Sequence, residues 1–361
     1  MKISVIDVRD LDTSLTQRWK HIQRNDDALR SPYYCPEFTQ LVAGAGREVR
    51  IAIIENDGVV TGFFPHEKDT WGRLMPVGGP LNDYHGLIGS PSLRLDARSL
   101  LKACDAIYFG FNHLPLTQTV FSPYVRFNSV SPVLDLQGGW ENYVERLAAV
   151  QNVRSPGILS SLKKSSKRIE RDVGPLRFEI HESSPHVLEF LMRLKFEQRA
   201  RTLGQLHDPF SVPWIRKLLV DCLDTQGADF SGYQCALYAG EKLVSSYFGI
   251  RAARTLHSWF LVYDLAFSYY QPGLILLGKL AEQGHQDGLD LIDLGRGTQD
   301  YKMRFNTHVV PLGEGAVSRP AILAQAVMAA KTTKAMVKAN PNVVRIRQWL
   351  AARKTRVSGG L

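Results

Sequence analysis

The chain has 361 residues, of which 44% are hydrophobic and 22% are charged, and its formal net charge is +9. These proportions are typical of a globular protein, and a chain of this length predicts two domains of ordinary size. No run of eighteen apolar residues occurs, which excludes a helical membrane protein.

The positive charge is concentrated at the C-terminal end. Of the 44 Lys and Arg residues, nine follow Glu314, where no acidic residue occurs, and the other 35 equal the 35 acidic residues in number. The globular part is therefore neutral, and nucleic acid is not a predicted partner.

Four cysteines stand far apart and match no metal-binding spacing: Cys35, Cys104, Cys222 and Cys235. We interpret them as reduced, buried thiols of a cytoplasmic protein and predict no metal site. The first residues, MKISVIDVRDLD, alternate apolar and polar side chains, which favours a strand over a signal peptide.

In the first half, alternating patterns and turn residues predict strands with intervening helices. The predicted strands cover 2–8, 49–55, 59–66, 117–127 and 132–136, and the predicted helices cover 14–25 and 94–108. Asp57-Gly58 predicts a hairpin between the second and third strands. The loop VGGPLNDYHGLIGSP, residues 77–91, carries Asn82, Asp83, Tyr84 and His85, and is either a functional loop or a turn with local hydrogen bonds.

Residues 139–172 predict a helix with a break near 155–157. Lys164, Lys167, Arg168 and Arg171 share one face of its second part. That face either meets water or contacts an anion, such as a nucleotide phosphate or an RNA backbone.

The second half predicts an antiparallel meander followed by a parallel crossover. A strand at 176–181 and helices at 185–203 and 212–226 precede strands at 232–239, 243–251 and 255–263. A helix at 274–284 then separates the meander from a strand at 289–294, so the last two strands should be parallel. That last strand runs into LGRGTQDYKMRF, where glycines and charged side chains are typical of a binding-site rim.

Seven segments follow one another along the chain: GGPLNDYHGLI, SPVLDL, GPLRFEIH, CALYAGEKLVSSYFGI, LHSWFLVYD, PGLILLGKL and LDLIDLGRGTQDYKMRF. In this order the sequence resembles the bacterial CelD/BcsL-type acyltransferases, a double-domain family related to the FemAB peptidyltransferases. The resemblance covers about residues 1 to 310.

The resemblance implies an α+β fold of two tandem domains similar to GCN5-related N-acetyltransferases (GNAT). Each would have a mixed, largely antiparallel sheet with one parallel strand pair and flanking helices. We divide the chain into a first GNAT-like domain (1–137), a helical connection (138–173), a second domain with the acyl-donor cleft (174–315) and a basic helical tail (316–361).

The resemblance also implies that acyl-coenzyme A is a co-substrate and that no cofactor is permanently bound. The donor would lie where the strands at 255–263 and 289–294 splay apart, with its pyrophosphate near Gln271, Gly273 and Leu274. A helix N-terminus suits phosphate. The usual superfamily turn, with two small residues, is absent here because Gln271 is followed by Pro-Gly-Leu.

Acyl transfer to an amine needs a base, and His257, Asp293 and Tyr301 are the catalytic candidates, with Asp83 and His85 as further bases. His257 is equally a core or pocket-wall residue, and Asp293 equally a structural ion pair with Arg296 or Arg304. The candidates for substrate binding form one set: Asp83, Tyr84, His85, Arg296, Lys302 and Arg304.

We predict a cytoplasmic N-acyltransferase with a small-molecule acyl donor and an amine acceptor. By resemblance, the acceptor is a sugar or lipid intermediate of envelope or exopolysaccharide synthesis. The alternatives are an aminoacyl-tRNA-dependent transferase and a catalytically silent scaffold subunit. The basic tail either contacts the inner membrane surface peripherally or packs on the body.

Overall fold

A computed structural model of the protein describes residues 1–90, 92–203, 208–325 and 329. The strands are β1 Lys2–Asp7, β2 Val49–Asn56, β3 Val59–Lys68, β4 Arg73–Met75, β5 Ile88–Gly89, β6 Tyr108–Pro115, β7 Val125–Asp135, β8 Leu176–Ile180, β9 Ser231–Ala239, β10 Lys242–Ala252, β11 Thr255–Tyr263, β12 Leu291–Asp293 and β13 His308–Ser318. The helices are α1 Thr13–Arg24, α2 Pro36–Gly44, α3 Ala97–Ala103, α4 Trp140–Gln151, α5 Gly157–Asp172, α6 Pro185–Leu203, α7 Pro213–Asp224, α8 Pro272–Gln283 and α9 Asp300–Phe305.

In the described part of the chain, the strands form one continuous sheet in the order β1-β2-β3-β4-β6-β13-β7-β12-β11-β10-β9-β8, with β5 beside β3. Each half contributes one parallel pair, β4 with β6 and β11 with β12, and the other pairs are antiparallel. The predicted α+β architecture, a largely antiparallel sheet with parallel strand pairs and flanking helices, is confirmed.

The two halves interlock through strands that cross between them. Strand β13 follows the second half in sequence but lies between β6 and β7 of the first. Strand β7 in turn pairs with β12. The domain limits therefore remain a prediction from the sequence. One sheet runs through both halves.

Two helical layers cover the second half of the sheet. Phe248 packs in a core with α6 and α7, whereas its neighbour Tyr247 packs in a separate core with α8. Because successive strand residues point to opposite faces, α6 and α8 lie on opposite sides of the sheet. All four cysteines are buried free thiols, as predicted.

The meander, the helix break before α5 and the parallel crossover through α8 are confirmed. The predicted helix at 94–108 and strand at 117–127 are wrong in extent. The chain forms only the short α3, and then β6, in which Phe109 and Phe111 alternate into the core. Most of the predicted tail helices lie outside the described residues, and no described helix is long and apolar enough to cross a bilayer.

Candidate active site

A cleft opens where β11 and β12 part. The two strands pair only from Thr255 to His257 on β11, and beyond that point the chain after β12 turns toward β7, with the Leu294 N–H bonded to the Pro132 carbonyl. The rest of β11 presents a free edge to the gap. This is the splay that the resemblance implied.

A cavity of about 540 Å³ occupies the gap and reaches both faces of the sheet. On one side its walls come from the start of α8, through Gln271, Gly273 and Leu274. On the other side they come from α6 through Lys195, and from the first half of the chain through Asp83. Two reactants can therefore meet from opposite faces of the sheet.

The start of α8 is shaped for close approach of a ligand. Gln271 has a left-handed backbone (φ 55°), Pro272 opens the helix and no side chain caps it. A Cβ atom on Gly273 would lie 3.2 Å from Tyr263 Cδ1, so only glycine leaves the backbone unobstructed. Amide groups at an uncapped helix start suit an anion.

Asp293 forms the centre of a buried hydrogen-bond cluster. Its carboxylate accepts hydrogen bonds from the hydroxyls of Tyr84 and Ser131, and from the Gly295 N–H at 2.8 Å. These partners come from the two predicted functional loops and from β7. The expected ion pair of Asp293 with Arg296 or Arg304 is absent, because hydroxyl and amide donors satisfy the carboxylate instead.

His257 is fully buried between two carboxylates. Its Nε2 lies 3.5 Å from Asp83 Oδ2 and its Nδ1 lies 3.9 Å from Asp293 Oδ2, while Tyr33 and Tyr84 contact the ring edge to face. Both distances are long for hydrogen bonds, and neither ring nitrogen has such a partner among the described residues. The ring is held in place by packing.

Asp83 joins His257 to the cavity. Burial alone would raise the pKa of Asp83, but the nearby His257 imidazole, His113 and the Lys302 ammonium outweigh it, and the pKa lies below its ordinary value. His113 Nε2 lies 3.4 Å from Asp83 Oδ1. The carboxylate is therefore ionised at neutral pH and faces the cavity.

Tyr301 and Lys302 line the same cavity from α9. Burial raises the pKa of Tyr301 to about 12, so its phenol stays protonated and can donate a proton. Lys302 Nζ donates to the carbonyls of Gly295 at 2.9 Å and Arg296 at 3.1 Å. Burial lowers the Lys302 pKa, while Asp83 and Asp293 oppose that effect.

The other predicted site residues lie outside the cavity. Arg296 donates to the Asn112 carbonyl at 2.8 Å and pairs with Glu314 at 3.2 Å. Arg304 lies 3.9 Å from the exposed Asp300 on the same helix. His85 is buried, with Nε2 3.0 Å from the Asn82 carbonyl. For these three side chains the placement favours structural roles.

Three site residues escaped the sequence reasoning: Lys195, His113 and Ser131. Lys195 lines the cavity from the middle of α6, and burial followed by the like charges of Arg199 and Lys302 lowers its pKa to about 8. Lys195 and His113 stand in no motif, and Ser131 begins the SPVLDL segment without having been singled out. Their only signal in the sequence is a polar side chain that interrupts an apolar pattern, and that signal is too weak to select single residues.

Asp293 should be important for stability as well as for the site. We expect Asp293→Ala to reduce the free energy of unfolding by about 3 kcal/mol, because the buried hydroxyls of Tyr84 and Ser131 lose their acceptor. The exposed Asp300→Ala should change it by less than about 0.5 kcal/mol. Urea unfolding measures both, and equal effects would contradict the cluster.

Because two histidines are buried, we expect the free energy of unfolding to fall in mild acid. Burial lowers the pKa of His85 to about 3 and that of His66 to about 4, against an ordinary value of 6.5. Between these values the unfolded chain binds protons that the folded chain does not, so stability falls as pH falls. From pH 7 to 5, each should cost about 2 kcal/mol.

Urea unfolding at the two pH values checks this expectation. His66→Gln should reduce the loss by about 2 kcal/mol, since the variant no longer takes up that proton on unfolding. His21→Gln, at an exposed position, should retain the full loss. A pH-independent free energy of unfolding in the wild type would show that these imidazoles are not buried neutral.

The sequence and structure were compared with known proteins. Residues 158–303 match the family model described as an acetyltransferase (GNAT) domain. The crystal structure of FemX aligns over 89% of this chain and 98% of its own, with a TM-score of 0.58 and 9% identity. The C-terminal domain of a putative lysylphosphatidylglycerol synthetase from Agrobacterium fabrum aligns over 88% of this chain and 95% of its own, with a TM-score of 0.53 and 15% identity.

No curated protein sequence matches the chain. At such low identities, the likeness to the two solved structures shows a shared fold. The family match covers α5 to α9, which includes both walls of the splayed strand pair. Residues 158–303 are therefore similar to a GNAT-type acetyltransferase domain, which supports an acyltransferase enzyme.

Proposed function

We propose that the protein transfers an acyl group from a thioester, acyl-coenzyme A, to an amine. One observation carries this proposal: a single cavity passes from an uncapped helix start, through the gap between parallel strands, to the Asp83–His257 pair. An anionic donor and a cationic amine each find a complementary wall there.

The donor would lie on the α8 side. The helix start at Gly273 would hold the pyrophosphate, and the free edge of β11 would bond the amides of the pantetheine arm. Past His257, the β11 backbone N–H groups that face the gap have no strand partner and are available to the thioester oxygen. The carbonyl carbon would then lie near Asp83.

The acceptor would approach from the α6 side as an ammonium. Asp83 would bind it, and the proton would pass through Asp83 to His257, which leaves a neutral amine. The amine nitrogen would form the C–N bond as the C–S bond breaks. The departing thiolate would take the proton of the Tyr301 phenol, and the second proton that the nitrogen loses as the amide forms would restore the phenol.

Asp293 would act through His257. Its carboxylate, fixed by Tyr84 and Ser131, lies beside Nδ1 and would stabilise the imidazolium that forms. Lys302 would hold the loop after β12 and offset the charge of Asp83. These roles make Asp83 and His257 the proton acceptors, with Asp293 as a positioning residue.

We further propose that the acceptor is a sugar or lipid intermediate of envelope or exopolysaccharide synthesis, as in CelD/BcsL-type acyltransferases. The similarity to a putative lysylphosphatidylglycerol synthetase, whose name specifies a lipid product, supports an acceptor at the membrane. A cytoplasmic protein that binds the inner membrane through its basic tail would meet such an acceptor. Pelleting of the full-length chain with anionic liposomes, compared with a Lys331→Glu, Lys334→Glu, Lys338→Glu variant, tests this contact, and equal pelleting would remove it.

Calorimetric titration with acetyl-, butyryl-, octanoyl- and palmitoyl-coenzyme A tests the donor. We expect micromolar binding of at least one, with coenzyme A itself bound more weakly. Desulfo-coenzyme A and ATP serve as controls for the nucleotide alone. A flat titration with every thioester would reject acyl-coenzyme A as the donor and favour an aminoacyl-tRNA donor or a silent scaffold.

A further inference from the structure

The outward face of α5 carries a row of basic side chains along its second half, beside the exposed Glu170. Lys163, Lys164, Lys167 and Arg171 are exposed, and the opposite face buries Ile158 and Ile169. At 1.5 Å per residue, these four charges extend over about 12 Å. The side chains thus form one stripe, which we call the α5 basic face.

Most of these basic side chains form no ion pair within the described residues. Arg171 pairs with Asp172, but Lys163, Lys164 and Lys167 have no acidic partner among the described residues. Like charges one turn apart destabilise a helix slightly. A stripe whose three lysines cost stability and pair with nothing inside the described part of the molecule is suited to an external anion.

The α5 basic face begins at the mouth of the donor cleft. Leu162 packs against Gly278 of α8 so closely that a Cβ there would lie 2.5 Å from Leu162 Cδ1. Nearer the cleft, Arg168 lies over the Tyr269 ring at 4.6 Å, and the Tyr270 hydroxyl donates to Asp172 at 3.3 Å. Residues 269–270 lead directly into the uncapped start of α8.

The arrangement of the charges indicates the size of the anion. Lys163 and Lys164 lie level with the second turn of α8, away from its start, so a nucleotide bound at Gly273 would leave them unused. An RNA ligand would need more basic side chains, since a protein that binds nucleic acid can neutralise about six to ten phosphates. Four charges along one helix match one acidic helix of a protein.

We propose that the α5 basic face docks an acidic acyl carrier protein, which presents its acyl group on a phosphopantetheine arm. This inference rests on the proposed thioester chemistry. The arm would enter the same cleft, its phosphodiester would lie at the start of α8, and acidic side chains of the carrier would pair with Lys163, Lys164 and Lys167. Coenzyme A shares the arm and the cleft but lacks the protein contact.

Binding measurements on the full-length protein test this proposal. The acyl group that binds best as acyl-coenzyme A is loaded, with its phosphopantetheine, onto a bacterial acyl carrier protein labelled with a fluorophore. Anisotropy then gives the dissociation constant for the wild type, for Lys163→Glu/Lys164→Glu/Lys167→Glu, and for the charge-matched control Lys2→Glu/Lys102→Glu/Lys217→Glu. Calorimetry with acyl-coenzyme A is run in parallel on all three.

We expect the α5 variant to bind the acyl carrier protein at least tenfold more weakly than the control variant, and to bind acyl-coenzyme A within about threefold of the wild type. Carrier binding should also weaken as salt rises. Equal carrier binding by the two variants would overturn the proposal. If the wild type binds acyl-coenzyme A but no carrier, only this inference fails; if it binds neither, the proposed function fails.

Discussion

His257→Gln should lower kcat/KM for acyl transfer by about 10²- to 10⁴-fold while the protein stays folded. The imidazole is fully buried, has free ring nitrogens and lies 3.5 Å from the Asp83 carboxylate that faces the cavity. Glutamine fills similar space and cannot accept the proton at neutral pH. Steady-state kinetics at saturating donor, with the thermal midpoint as a folding check, measure the effect.

Three companion variants separate the base from its surroundings. Asp83→Asn should lose a similar factor, and the double variant should lose little more, since groups that act as a unit are strongly non-additive. His113→Gln, which removes the other imidazole beside Asp83, should lose less than about tenfold. Additive losses for His257 and Asp83, or a larger loss at His113, would contradict the proposed proton path.

Gly273→Glu should raise the dissociation constant of acyl-coenzyme A by at least about 100-fold. The new carboxylate would lie at the uncapped start of α8, where it would repel the donor phosphates. It would also accept hydrogen bonds from the backbone amides that would otherwise bind those phosphates. A side chain there also meets Tyr263, which is partly exposed and can move. Calorimetric titration measures the change directly.

Gly273→Ala and Gln283→Glu are the matched controls for this substitution. Alanine adds the Cβ without charge and should weaken donor binding by about tenfold or less. Gln283→Glu adds the same charge at the far end of the same helix and should leave donor binding unchanged. Normal donor affinity in Gly273→Glu would place the phosphate site elsewhere.

The sequence was most informative where the contacts are local. The meander from β9 to β11 followed from alternation and short turns, and the parallel pairing of β12 followed from the length of the α8 crossover. These elements position the donor cleft. Gln271, Gly273 and Leu274, assigned through the resemblance, all line the cavity.

Contacts between segments that lie far apart in the sequence could not be predicted from local sequence patterns. Strand β13 inserts between β6 and β7, and its Glu314 becomes the partner of Arg296. The sequence had instead suggested Arg296 or Arg304 as the partner of Asp293. The paired residues of β6 and β13 lie about 200 positions apart in the chain, and no local pattern records that contact.

The candidate site shows both outcomes at once. Asp83 and Tyr84 were selected together from one polar loop, His257 and Asp293 were selected from two separate strands, and the fold brings all four together. The relative positions of these side chains could not be predicted, because they depend on the two halves sharing one sheet. The position of Lys195 in the cavity wall likewise depends on α6 covering that side of the gap.

The most direct test of the central claim is mass spectrometry of the products formed by the full-length protein. The best-bound acyl-coenzyme A is incubated with a panel of amino sugars and amine-bearing lipids, and free thiol is measured in parallel. We predict one acceptor that gains the acyl mass as an amide, with one coenzyme A thiol released per amide and both formed at least about 100-fold more slowly by His257→Gln. Donor binding without any amide, or thiol release by hydrolysis alone with every acceptor, would contradict acyl transfer to an amine.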